Sequence, residues 1–158
     1  MCIACDPPDA EKRAGLAMVQ EMLSEGAWIT IGVEPECGRP VRSYTVGLTS
    51  YDRPELLIIG MPKERAQRAL VPVSERVVVA GPPLPGTRLR LPGRRRAEIV
   101  DVDEPRVHLP IAADIFGLRL TAIQLVYTDQ KGRWPWDKAF RDGRGGQPVL
   151  GVRSHAAG

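Results

Sequence analysis

The chain has 158 residues and a mass of 17.3 kDa, too short for two self-supporting cores, so one domain is expected. Apolar residues at 43% and charged residues at 26% exclude general disorder. With 16 glycines and 15 prolines a plain helical bundle is excluded, and no apolar run approaches the roughly 18 residues of a membrane span. The formal net charge is +3, carried by 18 arginines against 4 lysines, which favours bidentate contacts to carboxylate or phosphate.

In chain order, Asp6-Pro7-Pro8-Asp9 is a helix start, and Leu16, Val19, Gln20 and Leu23 recur at helical spacing up to Gly26. A helix over about 8–25 follows, with one apolar stripe for a sheet. Residues 28–33 read as a strand, 34–40 as a loop and 41–49 as a second strand, the pair forming an antiparallel hairpin. Glu55-Leu56-Leu57-Ile58-Ile59 is the near-continuous apolar run of a strand covered on both faces. A second helix opens at Pro62 with Ala66, Ala69 and Leu70 on its inner face, and Pro72 predicts a kink or restart. Thr87 to Leu91 and Ala97 to Val102 are two short strands around a basic tip. His108 to Phe116 is a short helix, and Leu120 to Thr128 the last strong strand. Arg141 to Gly158, rich in glycine and arginine, is expected to wrap the surface or fray.

This order predicts an α+β fold, a mostly antiparallel curled sheet or open β-barrel with flanking helices. Residues 1–150 form the domain and 151–158 a flexible tail. No glycine-rich phosphate loop of the dinucleotide or P-loop type is present.

Several phrases, taken together, carry a family resemblance. They are Met1-Cys2-Ile3-x-Cys5-Asp6, Tyr44-Thr45-Val46-Gly47-Leu48 and Pro54-Glu55-Leu56 with Gly60, followed by Leu120-x-Ala122-x-Gln124-Leu125-Val126-x-x-Asp129, Gly132-Arg133-Trp134-Pro135-Trp136 and Gln147-Pro148-Val149-Leu150-Gly151. In this order and spacing the chain resembles the bacterial proteins grouped as domain of unknown function family 4262. The resemblance implies no activity. Family members commonly have His-Pro-Glu-Leu where this chain has Arg53-Pro54-Glu55-Leu56, so any general-base role of that imidazole is lost or moved here.

Three constellations could carry chemistry. Cys2-x-x-Cys5 has the bite of a soft-metal site, with Cys37 as third ligand and His108 as fourth for zinc or another soft metal. The same dithiol could be a redox couple, or Cys2 and Cys5 could be small apolar anchors. A Cys2 exposed by loss of the initiator Met would also carry its own base in the α-amine. The opening residues lack the basic and apolar regions of a signal peptide, so a cytoplasmic location with reduced thiols is expected. A thiol-based metal-binding or redox-responsive regulatory domain is the leading functional expectation.

The second constellation is Tyr44, Gln124, Asp129, Trp134 and Trp136, a set able to wall a pocket for a flat small molecule. By analogy with split-barrel proteins, flavin is the alternative cofactor, bound at a homodimer interface with Arg42, Arg88 and Arg90 toward its phosphate. The third is Arg88, Arg90 and Arg94 to Arg96, which could meet RNA. No aromatic residue is interleaved there, so a solvated hairpin tip is the favoured reading and nucleic acid a disfavoured partner.

Overall fold

A computed structural model describes residues 9–36 and 38–154. Helix α1 covers Asp9–Ser24 and is followed by strands β1 (Ile29–Val33), β2 (Arg42–Val46) and β3 (Glu55–Ile59). Helix α2 (Lys63–Ala80) leads to the hairpin of β4 (Arg88–Leu91) and β5 (Arg95–Asp101), then to short helices α3 (Pro105–His108) and α4 (Pro110–Phe116). Strand β6 (Ala122–Tyr127) enters the middle of the sheet. The spatial order is β1-β2-β3-β6-β5-β4; β3 and β6 run parallel and the other neighbours antiparallel. The result is an open, mixed sheet of α+β type. Among the described residues no helix is long and apolar enough to cross a membrane.

Alternation along the strands divides the apolar residues between two layers. Leu56, Ile58, Ile99, Ile123, Leu125 and Tyr127 meet Ala66, Ala69, Leu70 and Val77 of α2. On the opposite face Tyr44, Val46, Leu57, Ile59 and Ala122 meet Val19 of α1 and Ala112 of α4. Strand β3 is buried along its whole length, as its composition requires.

Four expectations about the elements change. Helix α2 continues through Pro72 without a restart, because its buried face packs on the sheet above and below the proline. The helix read over 108–116 is two helices. Pro110 disfavours the α conformation in the residue before it, and Leu109 sits at φ −120°, ψ 70° between them. Strand β2 ends at Val46, not at 49. Gly47 turns at φ 121° into a 3-10 turn over Leu48–Tyr51 that wraps the buried Glu55 carboxylate. The first strand of the basic hairpin begins at Arg88, one residue later than expected, and the second already at Arg95, so the tip is only Pro92-Gly93-Arg94.

Glu55 is fully buried and meets no cation among the described residues. It instead accepts hydrogen bonds from Thr45 Oγ1 (2.6 Å), Thr49 Oγ1 (2.8 Å) and the backbone N–H groups of Gly47 (3.0 Å), Leu48 (3.3 Å) and Thr49 (3.0 Å). Burial pushes its carboxyl up from the usual range while these donors pull against it.

Residues 147–153 cross β6 and β5 as a strap. The Gln147 side chain mimics a strand neighbour, accepting from Tyr127 N (2.8 Å) and donating to Tyr127 O (2.9 Å). The Gln124 amide donates to Pro148 O (2.8 Å) and accepts from Leu150 N (2.9 Å). Gly151 lies against Asp101 O, where any Cβ would collide with backbone. Gly60, at φ +77°, is likewise pressed against Gly146 O, so a side chain at this crossing is excluded by both space and conformation.

Candidate anion-binding cleft

The residues named from sequence separate into three places. Cys2, Cys5 and Cys37 lie outside the described residues, and so does the meeting of sulfurs on which a metal or redox site depends. Their proposed fourth partner, His108, is half-buried at the end of α3 and lines a small cavity with Arg39 and Arg42. Burial, then the charges of Arg42 and Arg39, hold its imidazole below the usual histidine range, with Glu104 opposing them. Among the described residues no group of three or more His, Cys, Asp or Glu side chains is placed to hold a metal ion.

Tyr44 and Gln124 share one row of the sheet face, joined through Leu57 by the registers Tyr44↔Leu57 and Leu57↔Gln124. Different elements cover them. The Tyr44 hydroxyl accepts from Ile111 N (3.4 Å) under α4, and Gln124 spends both ends of its amide on the strap. Burial pushes the Tyr44 phenol up to about 12.

Trp134 and Trp136 stack on each other, centroids 5.0 Å apart and planes 7° from parallel. Arg88 lies 4.8 Å from the Trp134 centroid and Arg153 3.3 Å from the Trp136 centroid. Glu98 joins the two guanidiniums, accepting from Arg88 Nε (3.1 Å) and Arg153 Nε (2.9 Å). Folding therefore brings an aromatic pair to the arginine hairpin, a proximity invisible in the local sequence. The indole faces are already taken by each other and by guanidiniums, which leaves no free platform for a base. The hairpin arginines also divide: Arg88 and Arg90 stand opposite Glu98 and Arg96, while Arg95 pairs with Leu91 and lines a cleft at the strand end.

That cleft, about 460 Å³, is lined by eight charged residues. It lies beyond the carboxyl ends of the parallel strands β3 and β6, where the two chains diverge into α2 and into the loop after Tyr127. Four segments line it: Pro62 and Arg65 from the start of α2, Arg95 from β5, residues 129–133, and residues 141–145. Asp129 organises the loop. Its carboxylate accepts from the backbone N–H groups of Lys131, Arg133 and Arg141 (2.9 Å each) and from Arg133 Nε (2.7 Å). Burial opposes the charge, but the backbone donors at Arg133 and Arg141 and the Arg133 guanidinium outweigh it and hold Asp129 well below the usual carboxylate range. Asp142 is engaged by Lys131 (3.0 Å) and Arg133 (3.0 Å).

Six cationic side chains, Arg65, Arg95, Lys131, Arg133, Arg141 and Arg144, thus face two carboxylates, an excess of four positive charges. Arg65, Arg95 and Arg141 meet no carboxylate among the described residues. Arg95 donates to Thr128 O (3.3 Å); Arg141 donates to Gly60 O (2.8 Å) and the Tyr127 hydroxyl (2.6 Å). A second cleft of about 310 Å³ shares Arg65, Arg95 and Gln130 with the first and adds Arg68 beside Met61, Ala69 and Pro92. The two form one trough, cationic at one end and partly apolar at the other.

A larger single cleft, about 580 Å³, lies elsewhere, between α2 and the edge strand β4. Its walls are Pro72, Val73, Val77, Pro82 and Pro83 with three arginines, one of them already tied to Glu98. Size alone does not locate chemistry here, because the 460 Å³ cleft concentrates more unneutralised charge. Sequence reading missed the trough because its arginines come from segments up to 80 residues apart. The one local signal was the polar turn Asp129-Gln130-Lys131-Gly132-Arg133.

No curated protein and no solved structure shows significant similarity to the chain. The model of the family described as "Domain of unknown function (DUF4262)" matches residues 22–141, a span that takes in β1 to β6 and most of the cationic trough. The chain belongs to this domain-of-unknown-function family.

Proposed function

We propose that the protein is a binding module for small phosphorylated molecules, held in the trough at the ends of β3 and β6. The observation that carries this reading is the excess of four positive charges in a cleft whose own carboxylates are already bonded. Guanidinium forks match phosphate oxygens in pairs, and clustered like charge in a partly desolvated concavity raises the local concentration of anions. The adjoining wall of Met61, Ala69 and Pro92 offers apolar contact to an organic body that a bare inorganic ion lacks. The volume of the main cleft falls in the ordinary range for small-molecule sites.

Calorimetric titration with inorganic phosphate, pyrophosphate and ADP at low ionic strength tests this. Saturable binding that weakens as salt rises is expected, strongest for the diphosphates. No saturable heat from any of the three up to about 1 mM, a threshold of roughly 4 kcal/mol, would refute the reading.

A further inference from the structure

A second cavity, independent of the trough, is built on the opposite layer of the sheet. It encloses about 200 Å³ between the start of β2, the end of β3, α3 and the strap, and is lined by Arg39, Pro40, Arg42, Ile59, Val107, His108, Pro148 and Leu150. Its walls are mainly apolar, with two guanidiniums and one imidazole as the polar groups. Neither Arg39 nor Arg42 pairs with a carboxylate among the described residues. Arg42 lies in register with Ile59, which places its side chain beside the last buried turn of β3.

Three buried side-chain atoms lack a hydrogen-bond partner among the described residues: Arg42 Nε, Ser43 Oγ and Ser74 Oγ. Only Arg42 both carries a charge and lines a cavity. A buried donor left unpaired is destabilising, more so when it is charged, and native structures seldom leave one without a purpose. An anion in the cavity would answer the charge of the Arg42 guanidinium, whose Nε is too enclosed for direct contact, and Arg39 would add a second positive charge at the rim.

We propose that this cavity binds a small organic carboxylate, its two oxygens on the Arg42 guanidinium and its apolar body against Ile59, Val107 and Leu150. The cavity is below the size of drug-like sites, which limits the occupant to a molecule smaller than a nucleotide. The apolar lining selects against inorganic anions, whose remaining oxygens would be left without donors. His108 offers a ring nitrogen to a hydroxyl or amino substituent of the acid.

The chain has two histidines, so His155→Gln leaves His108 as the sole imidazole reporter by proton NMR. Benzoate titrated into this variant is expected to move the His108 ring resonance in a saturable way below about 10 mM. Arg42→Gln should weaken the effect about tenfold or more. Arg39→Gln, at an exposed position, should weaken it less and serves if the β2 variant does not fold. Arg65→Gln, in the trough, should leave it unchanged, which separates this proposal from the phosphate reading. No saturable shift, a shift undiminished in both arginine variants, or an equal response to inorganic phosphate overturns the assignment.

Discussion

Two arginine-rich regions lie on either side of the β4–β5 hairpin, and they use the same residue type in opposite ways. In the tryptophan stack, Arg88 and Arg153 close both ends of the Trp134–Trp136 pair, and the single Glu98 carboxylate accepts from both. These two guanidiniums are tied to a carboxylate from within the chain. In the trough, Arg95 and Arg141 have carbonyls, a hydroxyl and the rings of Tyr127 and Phe140 for company but no carboxylate, Arg65 has no bonded partner among the described residues, and positive charge is left over. A guanidinium that finds its carboxylate inside the fold is structural; one that does not is available to a ligand. Counting arginines in the sequence cannot separate the two cases.

The comparison breaks if the regions do not respond differently to mutation. Trp134→Ala should have the largest effect. It removes a buried ring from between Trp136 and Arg88 and should lower unfolding free energy in urea by about 3–5 kcal/mol, while pyrophosphate affinity of the folded fraction stays within about twofold. Next is Asp129→Asn, which removes a charged acceptor from four donors and should cost about 2–4 kcal/mol. It should also loosen the trough and weaken pyrophosphate binding, since Asp129 holds Lys131 and Arg133 in its own loop and fastens the separate Arg141 segment to it.

A pH profile sharpens the Asp129 assignment. The folded-state value is depressed, so the carboxylate's contribution is complete above the unfolded value of about 3.9 and is lost as pH falls through the folded one. Wild-type stability should therefore drop below about pH 4 more steeply than that of the asparagine variant. Parallel acid profiles would show that Asp129 is not the organising charge.

Smaller changes distinguish binding from structure. Arg65 makes no ion pair or side-chain hydrogen bond among the described residues, so Arg65→Gln should weaken pyrophosphate about tenfold and leave stability within about 0.5 kcal/mol. Arg153→Gln should do the reverse, costing about 1 kcal/mol through its bonds to Glu98 and its contact with Trp136, with binding intact.

Much of the fold was legible because its signals are local. The helix stripe of Leu16, Val19 and Leu23, the apolar run Leu56–Ile59 and the turn at Pro92-Gly93 each declare an element within a few residues. Expectation and structure part where distant groups decide. The end of β2 is set by the Glu55 carboxylate gathering Gly47, Leu48 and Thr49, and nothing within residues 41–49 announces that acceptor. The parallel pairing of β3 with β6 spans α2 and a whole hairpin. Of the residues singled out from sequence, Asp129 and Arg95 enter the trough. Tyr44, Gln124 and the two tryptophans are engaged under α4, under the strap and in the stack. The trough itself was hidden by its origin in four segments, with spacing that carries no period or motif.

The most direct test is one calorimetric series with pyrophosphate on the wild-type chain, Arg65→Gln and Arg153→Gln under identical low-salt conditions. Saturable binding to the wild type, about tenfold weaker binding to Arg65→Gln and unchanged binding to Arg153→Gln are expected. Absent binding, or equal loss in both variants, would contradict the claim that the leftover charge at the ends of β3 and β6 is there for a ligand.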